Sequence, residues 1–360
     1  MSTKLTIGIS QGDINGISYE VILKALEDTR MLEICTPVIY GSPKVAAYHK
    51  KTLNRDHINL VTIRHPGEAS AKKINIINCI NDEIRVELGK STKQAGEASY
   101  QALKSAASDL KHEAIEALVT GPINKQNIQS ESFKYSGHTE YLKDMFNVEE
   151  VLMLMVSNFM KIGVVAGHVP ISRLSTYITK ERVLSKLRTL NQSLQKDFAV
   201  PKPRIAVLGL NPHAGDDGLL GNEENDIIIP AIQEAKKSNM LVFGPYPADG
   251  FFGSGAYTKF DAILAMYHDQ GLVPFKTISM DEGVNYTAGL PVVRTSPAHG
   301  TAYELAGKDE ASPASFRNAI YLACDIFKNR QMYDEIHANP LHETFNSGSD
   351  TDDDLSDLNE

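Results

Sequence analysis

The most constraining feature of this sequence is the regular alternation of short apolar segments with amphipathic segments of helical periodicity. KLTIGIS at 4–10 has the apolar density of a buried strand, QGDINGIS predicts a turn, and YEVILKALEDT at 19–29 places apolar residues at helical spacing. TPVIYG at 36–41 predicts a second strand, and Ser42 with Pro43 after it is typical of a helix start. Strands that alternate with helices in this way predict an α/β fold with a mostly parallel sheet.

The same alternation continues along the rest of the chain. A mixed stretch at 54–81 predicts a peripheral pair of strands, 96–116 has an alanine-rich helix pattern, and ALVTGPINK at 117–125 reads as a strand that ends in a Gly-Pro loop. A chain of 360 residues exceeds the size at which one hydrophobic core usually stops growing. We therefore expect residues 1–346 to form one catalytic unit of two interleaved α/β lobes, with the active site between them.

Composition indicates a globular protein away from the membrane. Apolar residues make up 42% of the chain and charged residues 22%. The chain shows neither an apolar run of membrane-spanning length nor a basic start followed by an apolar stretch and a cleavage site, so we expect a cytoplasmic protein without membrane contact. Cys35, Cys79 and Cys324 are widely spaced, which predicts reduced thiols with structural roles.

The net charge of −9 is concentrated at the end of the chain. SGSDTDDDLSDLNE at 347–360 holds six acidic residues and no basic one, which leaves −3 for the remainder. Because this segment is too poor in apolar residues to offset the entropy cost of ordering, we expect 347–360 to be disordered and dispensable. The absence of basic segments interleaved with aromatic residues argues against a nucleic-acid partner.

Three histidines each stand at the end of a short apolar run. IGVVAGH ends at His168, RIAVLGLNPH ends at His213 and FDAILAMYH ends at His268. Since ligands collect at the carboxyl ends of parallel strands, three imidazoles there can converge on one divalent metal ion and leave a coordination position open for substrate. The alternative is that each histidine only caps its strand through hydrogen bonds.

Two further groups of residues suit an anionic ligand. SGHTEYL places His138 and Thr139 at the start of a helical pattern, where an anion site and an ordinary threonine N-cap are equal alternatives. Lys276, Asn285 and Arg294 follow one another at nine-residue intervals and suit a phosphate monoester, although exposed basic residues without a partner are the commoner outcome. The loop GDINGIS matches neither dinucleotide nor P-loop motifs, so we favour a tight turn there over a phosphate cradle.

Several segments together resemble one known family. GHTEYL, LNPHAGDDGLLGNEE, FGPYPAD, AMYHDQG, NYTAGLPVVRTS and HGTAYELAGK are similar to segments of the 4-hydroxythreonine-4-phosphate dehydrogenases of pyridoxal phosphate synthesis, over about residues 4 to 330. NPHAG and MYHDQG are the most specific of these. The resemblance implies an isocitrate/isopropylmalate dehydrogenase-like fold and a homodimer whose active site lies at the subunit interface.

The resemblance also implies roles for particular residues. It implies that a divalent metal ion, such as zinc, magnesium or cobalt, is held by His168, His213 and His268, with one ligand donated across the dimer interface. The implied substrate contacts are His138, Thr139, Lys276, Asn285 and Arg294. The loop that wraps the cofactor in related dehydrogenases corresponds to His299, Gly300, Thr301 and Ala302. Glu304 follows it, and a carboxylate there favours the free ribose hydroxyl of NAD over the 2′-phosphate of NADP.

The implied reaction is the NAD-dependent oxidation of 4-phosphooxy-L-threonine at C3, followed by decarboxylation to 3-amino-2-oxopropyl phosphate. Either Lys276 or Asp249 moves the alcohol proton. One alternative keeps the chemistry and changes the substrate to a sugar acid such as threonate or erythronate 4-phosphate. Another is a phosphate acyltransferase or a non-catalytic binder of the same fold, and the three histidines count against the acyltransferase.

The chain also departs from this family. The first loop of the family usually reads GDPAGIGPE, whereas this chain has Ile14 and Asn15, then Ser18 and Tyr19, in the corresponding stretch. Ala298 stands where an aspartate is common before the His-Gly pair. Because two prolines and a glycine are replaced, we expect the first loop to be less constrained. All proposed metal and substrate residues are retained.

Overall fold

Twelve strands within the described residues pair into one continuous sheet. The computed structural model describes residues 4–81 and 83–339, so the acidic segment 347–360 that we expect to be disordered lies outside the described residues. The strands are β1 (Leu5–Ser10), β2 (Cys35–Gly41), β3 (Leu60–Ile63), β4 (Ile74–Asn78), β5 (Ala117–Thr120), β6 (Leu152–Val156), β7 (Lys161–Ala166), β8 (Arg204–Leu208), β9 (Leu241–Tyr246), β10 (Ala262–Tyr267), β11 (Val284–Ala288) and β12 (Val293–Pro297).

The sheet is mostly parallel, as the alternation of segments predicts. Its spatial order is β3-β4-β2-β1-β5-β12-β11-β6-β7-β10-β8-β9. Antiparallel pairing occurs between β12 and β11, between β11 and β6, and between β6 and β7. The predicted peripheral pair is β3 with β4, which are parallel at one edge of the sheet. The division into two lobes stays a prediction.

Helices connect the strands and cover the sheet. They are α1 (Ser18–Glu27), α2 (Met31–Ile34), α3 (Pro43–Thr52), α4 (Lys93–Lys111), α5 (His138–Met145), α6 (Leu174–Tyr177), α7 (Lys180–Lys196), α8 (Ile229–Lys237), α9 (Ala248–Gly253), α10 (His268–Ser279) and α11 (Ala314–His337). The predicted start of α3 is confirmed, since the Ser42 side chain accepts a hydrogen bond from the Val45 backbone N–H at 3.3 Å.

One helix differs from its predicted bounds. We predict 96–116 from the apolar pattern, whereas α4 begins at Lys93 and ends at Lys111. Thr92 caps its start by accepting a hydrogen bond from the Ala95 N–H at 3.3 Å. The helix ends early because Glu113 adopts a left-handed conformation, with φ of 58°, which turns the chain towards β5.

The core lies on both faces of the sheet. Every residue of β2 and of β5 is buried, which is typical of parallel strands covered by helices on both sides. The three cysteines are free thiols, as predicted, and Cys35 and Cys324 are buried. Among the described residues, no helix has both the length and the apolar character needed to cross a bilayer.

Candidate active site

The three histidines predicted as metal ligands follow three neighbouring strands. Strands β7, β10 and β8 lie side by side and run parallel. His168 comes shortly after β7, His268 is the first residue of α10 after β10, and His213 lies in a turn after β8. The prediction that each histidine follows a strand is confirmed.

Only two of these histidines meet within one chain. The rings of His168 and His268 lie 5.9 Å apart between centroids, and both line one cavity. His213 is exposed, has a left-handed φ of 53° within the turn Pro212–Gly218, and does not line that cavity. In the described part of the chain, no group of three or more His, Cys, Asp or Glu side chains is placed to hold a metal ion. The three-histidine site therefore stays a prediction.

The two histidines that meet differ in the contacts of their ring nitrogens. His268 Nδ1 lies 2.7 Å from Asp269 Oδ1, an arrangement that orients the ring and leaves Nε2 available as a ligand. Lys125 Nζ donates to His168 Nε2 at 3.1 Å. Partial burial, and then the charge of Lys125, lower the pKa of His168, which favours the neutral imidazole that metal ions bind. Lys125 was not predicted, although it ends the Gly-Pro loop after β5.

The cavity has a volume of about 670 Å³ and collects most of the predicted site residues. Those that line it are His138, Thr139, His168, His268, Lys276, Asn285, Arg294, His299 and Gly300. Those that do not line it are His213, Asp249, Thr301, Ala302 and Glu304. Asp249 is exposed on α9, beyond β9 at the far edge of the sheet. Residues as far apart in the sequence as His138 and Gly300 thus share one cavity.

Arg294 forms the buried end of the cavity. The residue is 2% exposed and its guanidinium contacts only uncharged groups in the described structure. Nε and Nη2 donate to Thr120 Oγ1 at 3.2 and 2.6 Å, and Nη1 donates to Thr287 Oγ1 at 3.2 Å. Burial lowers the pKa of Arg294 to about 10, so the group stays charged at neutral pH. A buried cation without a carboxylate partner is a strong site for an anion.

His138 adds a hydrogen-bond donor beside Arg294. Its Nδ1 accepts from Arg294 Nη2 at 3.1 Å, and burial, followed by the Arg294 charge, lowers the pKa of His138 well below its usual value. The neutral ring therefore carries its proton on Nε2, a buried atom with no partner among the described residues. Gly137, not Thr139, is the N-cap of α5. The interpretation of His138 and Thr139 as an anion site is thereby favoured over the N-cap.

The predicted cofactor loop is open on one side and anchored on the other. His299 Nε2 is buried without a partner, and a Cβ added to Gly300 would meet no atom within 4 Å. The loop is anchored by the Ile17 N–H, which donates to the Thr301 carbonyl at 3.0 Å, and by Tyr303 Oη, which donates to Asp13 Oδ2 at 2.8 Å. His299 Nε2 and the open space beside Gly300 leave room for a polar group at this part of the cavity.

The first loop is a buried turn, as predicted, and it supports the cofactor loop. Asn15 Nδ2 donates to the Lys90 carbonyl at 2.9 Å, and Asn15 Oδ1 accepts from the Glu87 N–H at 2.7 Å. Asp13 Oδ1 accepts from the Asn15 N–H at 2.9 Å. Side-chain hydrogen bonds therefore hold this loop where prolines are usual in the family. That it is less constrained than the family's loop stays a prediction.

Comparisons with known proteins agree with these features. Residues 33–323 match the family described as pyridoxal phosphate biosynthetic protein PdxA. The 4-hydroxythreonine-4-phosphate dehydrogenase of Bacteroides thetaiotaomicron is 52% identical over 353 residues, which cover 98% of this chain and 97% of the relative. A relative from Oceanobacillus iheyensis, provisionally named D-threonate 4-phosphate dehydrogenase, is 36% identical over 91% of this chain and 99% of its own length.

A solved structure is also similar to this chain over most of its length. The crystal structure of 4-hydroxythreonine-4-phosphate dehydrogenase from Klebsiella pneumoniae superposes with a TM-score of 0.79 at 30% identity, covering 90% of this chain and 98% of that one. The fold and the relatives together define an oxidoreductase with an isocitrate/isopropylmalate dehydrogenase-like fold. More narrowly, the chain belongs to the family of the pyridoxal phosphate biosynthetic protein PdxA. The resemblance found in the sequence is confirmed.

Proposed function

We propose that this protein oxidises 4-phosphooxy-L-threonine (4-hydroxythreonine 4-phosphate) at C3 with NAD and a divalent metal ion, in pyridoxal 5′-phosphate biosynthesis. The resulting 3-oxo acid then loses CO2 and gives 3-amino-2-oxopropyl phosphate. The observation that carries the proposal is the buried Arg294 guanidinium, which has no anionic partner in the described structure and shares a cavity with the His168–His268 pair. The names of the relatives support the substrate.

Arg294 and His138 bind the terminal phosphate in this proposal. The planar guanidinium matches two phosphate oxygens, and His138 Nε2–H supplies a further donor. Lys276 and Asn285 line the same cavity and complete the polar surroundings of the substrate. Because the phosphate is remote from C3, its binding energy orients the reacting carbon and raises turnover as well as affinity.

His168 and His268 hold the metal ion in this proposal. Their imidazoles, one oriented by Asp269, suit zinc or another first-row ion, and the third histidine is supplied by the second subunit of a homodimer. When bound, such an ion lowers the pKa of a coordinated hydroxyl and stabilises negative charge that develops on oxygen.

NAD is the hydride acceptor in this proposal. It binds along His299–Ala302, and the Glu304 carboxylate accepts a hydrogen bond from the ribose 2′-hydroxyl. His299 Nε2, which has no partner in the described structure, is the group that this ligand would satisfy. Of the two candidates for moving the alcohol proton, Lys276 lines the cavity and Asp249 does not. We therefore assign the proton transfer to Lys276.

The test is the NADH absorbance that appears when purified protein is mixed with NAD and 4-phosphooxy-L-threonine, with and without a chelator. We expect turnover that the chelator abolishes and that added metal restores. The second candidate, a dehydrogenase of threonate or erythronate 4-phosphate, is favoured by the relative from Oceanobacillus iheyensis. A higher kcat/KM for either sugar acid would replace the first assignment, and absence of NADH with all substrates would refute both.

A further inference from the structure

The turn after β8, Pro212–Gly218, has an unusual backbone. Five successive residues, 213–217, have φ between 45° and 84°, and four of them are not glycine. Left-handed conformations normally occur at single residues, because the Cβ of each residue other than glycine is strained there. A run of five therefore persists only if surrounding groups of the fold determine it.

Glu224 is the buried group around which this turn is built. The residue is 2% exposed, and its Oε1 accepts hydrogen bonds from the Leu210 N–H at 2.7 Å and from the Asn211 N–H at 2.8 Å. Its Oε2 accepts from Asn211 Nδ2 at 3.0 Å. These donors are uncharged and come from the two residues directly before the turn, so the carboxylate fixes the direction in which the chain enters it.

Two glycines let the backbone approach this carboxylate closely. A Cβ on Gly209 would lie 3.1 Å from Glu224 Oε1, and a Cβ on Gly215 would lie 2.7 Å from Glu224 Oε2. Gly209 precedes the turn and Gly215 lies within it. The backbone therefore wraps around the Glu224 carboxylate from both sides, and the shape of the turn depends on that side chain.

The strained turn presents His213 away from the cavity of its own chain. His213 is exposed and does not line the cavity that holds His168 and His268. Among residues 4–81 and 83–339, its imidazole has no hydrogen-bond partner. Because a costly backbone conformation persists only where the fold enforces it, its occurrence at an exposed, unpaired imidazole indicates a role for that side chain.

We propose that Glu224 is a positioning residue for the metal site. It holds the left-handed turn that presents His213 to the His168–His268 pair of a second copy of the chain. This inference rests on the proposed function and deepens it, since it adds a residue that does not touch the ion but determines where the third ligand lies. Residues that orient a metal ligand typically contribute about 10- to 100-fold to metal affinity.

The experiment titrates the metal-free, full-length protein with Co²⁺ and follows the visible absorption of the bound ion, with NAD and substrate omitted. His213→Ala shows the loss caused by removing the ligand itself. Glu224→Gln keeps the size of the side chain, but in either orientation its amide NH₂ faces a donor of the Leu210–Asn211 segment. We expect Glu224→Gln to fold and to bind Co²⁺ roughly 10- to 100-fold more weakly.

A second substitution separates the positioning of His213 from general destabilisation. Ala214→Gly makes the left-handed conformation less costly, because glycine has no Cβ. Combined with Glu224→Gln, it should recover part of the lost Co²⁺ affinity. If Glu224→Gln does not fold, Asn211→Ala takes its place, because it removes the side-chain donor to Glu224 Oε2 and should cause a smaller loss that Ala214→Gly again reduces.

Asp261→Asn is the matched control. Asp261 Oδ2 accepts from the Arg204 N–H at 2.7 Å, at the opposite end of β8, so the same kind of change there should leave Co²⁺ affinity unaltered. The proposal is overturned if Glu224→Gln folds and binds Co²⁺ as tightly as the unmodified protein while His213→Ala does not. It is also overturned if Ala214→Gly recovers nothing, or if Asp261→Asn weakens Co²⁺ binding as much as Glu224→Gln.

The same titration separates this proposal from the proposed function. If the unmodified protein binds no Co²⁺, or if His213→Ala binds it equally well, the three-histidine metal site is refuted and the role of Glu224 with it. If Co²⁺ binding responds to these substitutions as expected but no NADH forms with any substrate, the proposed reaction is refuted and the positioning role of Glu224 is supported.

Discussion

The cavity has a phosphate end at Arg294 and a metal end at His168 and His268, each named for the ligand that we propose binds there. The two ends differ in how completely one chain builds them. At the phosphate end, Arg294 is buried and donates to Thr120, Thr287 and His138, which come from three other elements of the fold. At the metal end, His168 is exposed, and the third predicted ligand, His213, lies outside the cavity. The first end is preorganised within the chain, whereas in the proposed function the second is completed by a metal ion and a second subunit.

This difference predicts different responses to perturbation. A preorganised site loses function when one of its own side chains is removed, because the remaining buried groups lose a partner that no solvent group replaces. A site completed from outside loses function when the ion or the partner is withdrawn, and it recovers by mass action when they return. The following experiments test this contrast.

The largest effect is expected from the metal end. His168→Ala or His268→Ala should reduce turnover below detection and abolish tight metal binding, while the melting temperature changes little because neither ring is buried in the core. Metal content by elemental analysis, NADH formation and thermal unfolding check this expectation. His112→Ala, an exposed histidine at the end of α4, is the control and should keep full activity. Full rate in a metal-stripped sample would contradict the assignment.

Removal of the guanidinium tests the phosphate end. Arg294→Ala should lower kcat/KM for 4-phosphooxy-L-threonine by about 10³-fold, since truncating one partner of a buried charged pair costs about 4 kcal/mol. Arg294→Lys keeps the charge but loses the planar fork, so its kcat/KM should lie between those of the unmodified protein and Arg294→Ala. The comparison substrate is 4-hydroxythreonine without the phosphate. If Arg294→Ala slows both substrates by the same factor, Arg294 does not bind the phosphate.

Acid should destabilise the phosphate end through His138. Its pKa is lowered in the folded protein by burial and by Arg294, so the unfolded chain takes up the proton first as pH falls below about 6.5. The stabilisation is complete above that pH and decreases by up to about 1.4 kcal/mol per pH unit below it. Denaturant unfolding at pH values from 7.5 to 5.5 measures how steeply the free energy of unfolding changes with pH. This change should be smaller for His138→Gln than for the unmodified protein. Equal changes in the two proteins would exclude His138 as the cause.

The smallest effect is expected at the cofactor loop, which is open like the metal end. Glu304 is exposed, so Glu304→Lys should narrow the preference for NAD over NADP by roughly tenfold without unfolding the protein. The ratio of kcat/KM for the two cofactors, together with their dissociation constants, measures this change. Equal use of both cofactors by the unmodified protein would rule out the proposed role of Glu304.

The local parts of this fold can be predicted from the sequence, and the assembly of the site cannot. Apolar periodicity places β7, β8 and β10 correctly and puts a histidine after each. Periodicity does not specify that the left-handed turn after β8 leaves His213 exposed. Nor does it show that Arg294 meets Thr120, because that contact depends on β12 pairing with β5 from a distant part of the chain.

Lys125 was missed in the sequence for the same reason, because its role depends on a contact between distant parts of the chain. Lys125 ends a loop that the sequence identifies, yet its contact with His168 requires the folded sheet. Residue type and local spacing predict which side chains can take part in the chemistry, whereas unpaired charge is visible only after the chain has folded.

The insertion of β12 between β5 and β11 has a consequence for how the protein is made. Strand β5 is complete at Thr120, but the neighbour that covers its free edge begins at Val293. At about 5–20 residues per second, a ribosome needs roughly 10–35 s to synthesise the intervening part of the chain. During that time one edge of β5, whose residues are all buried in the finished protein, has no partner strand. An unpaired strand edge is a site for pairing with other chains. We expect the newly made chain to depend on chaperones during this interval far more than the finished enzyme does.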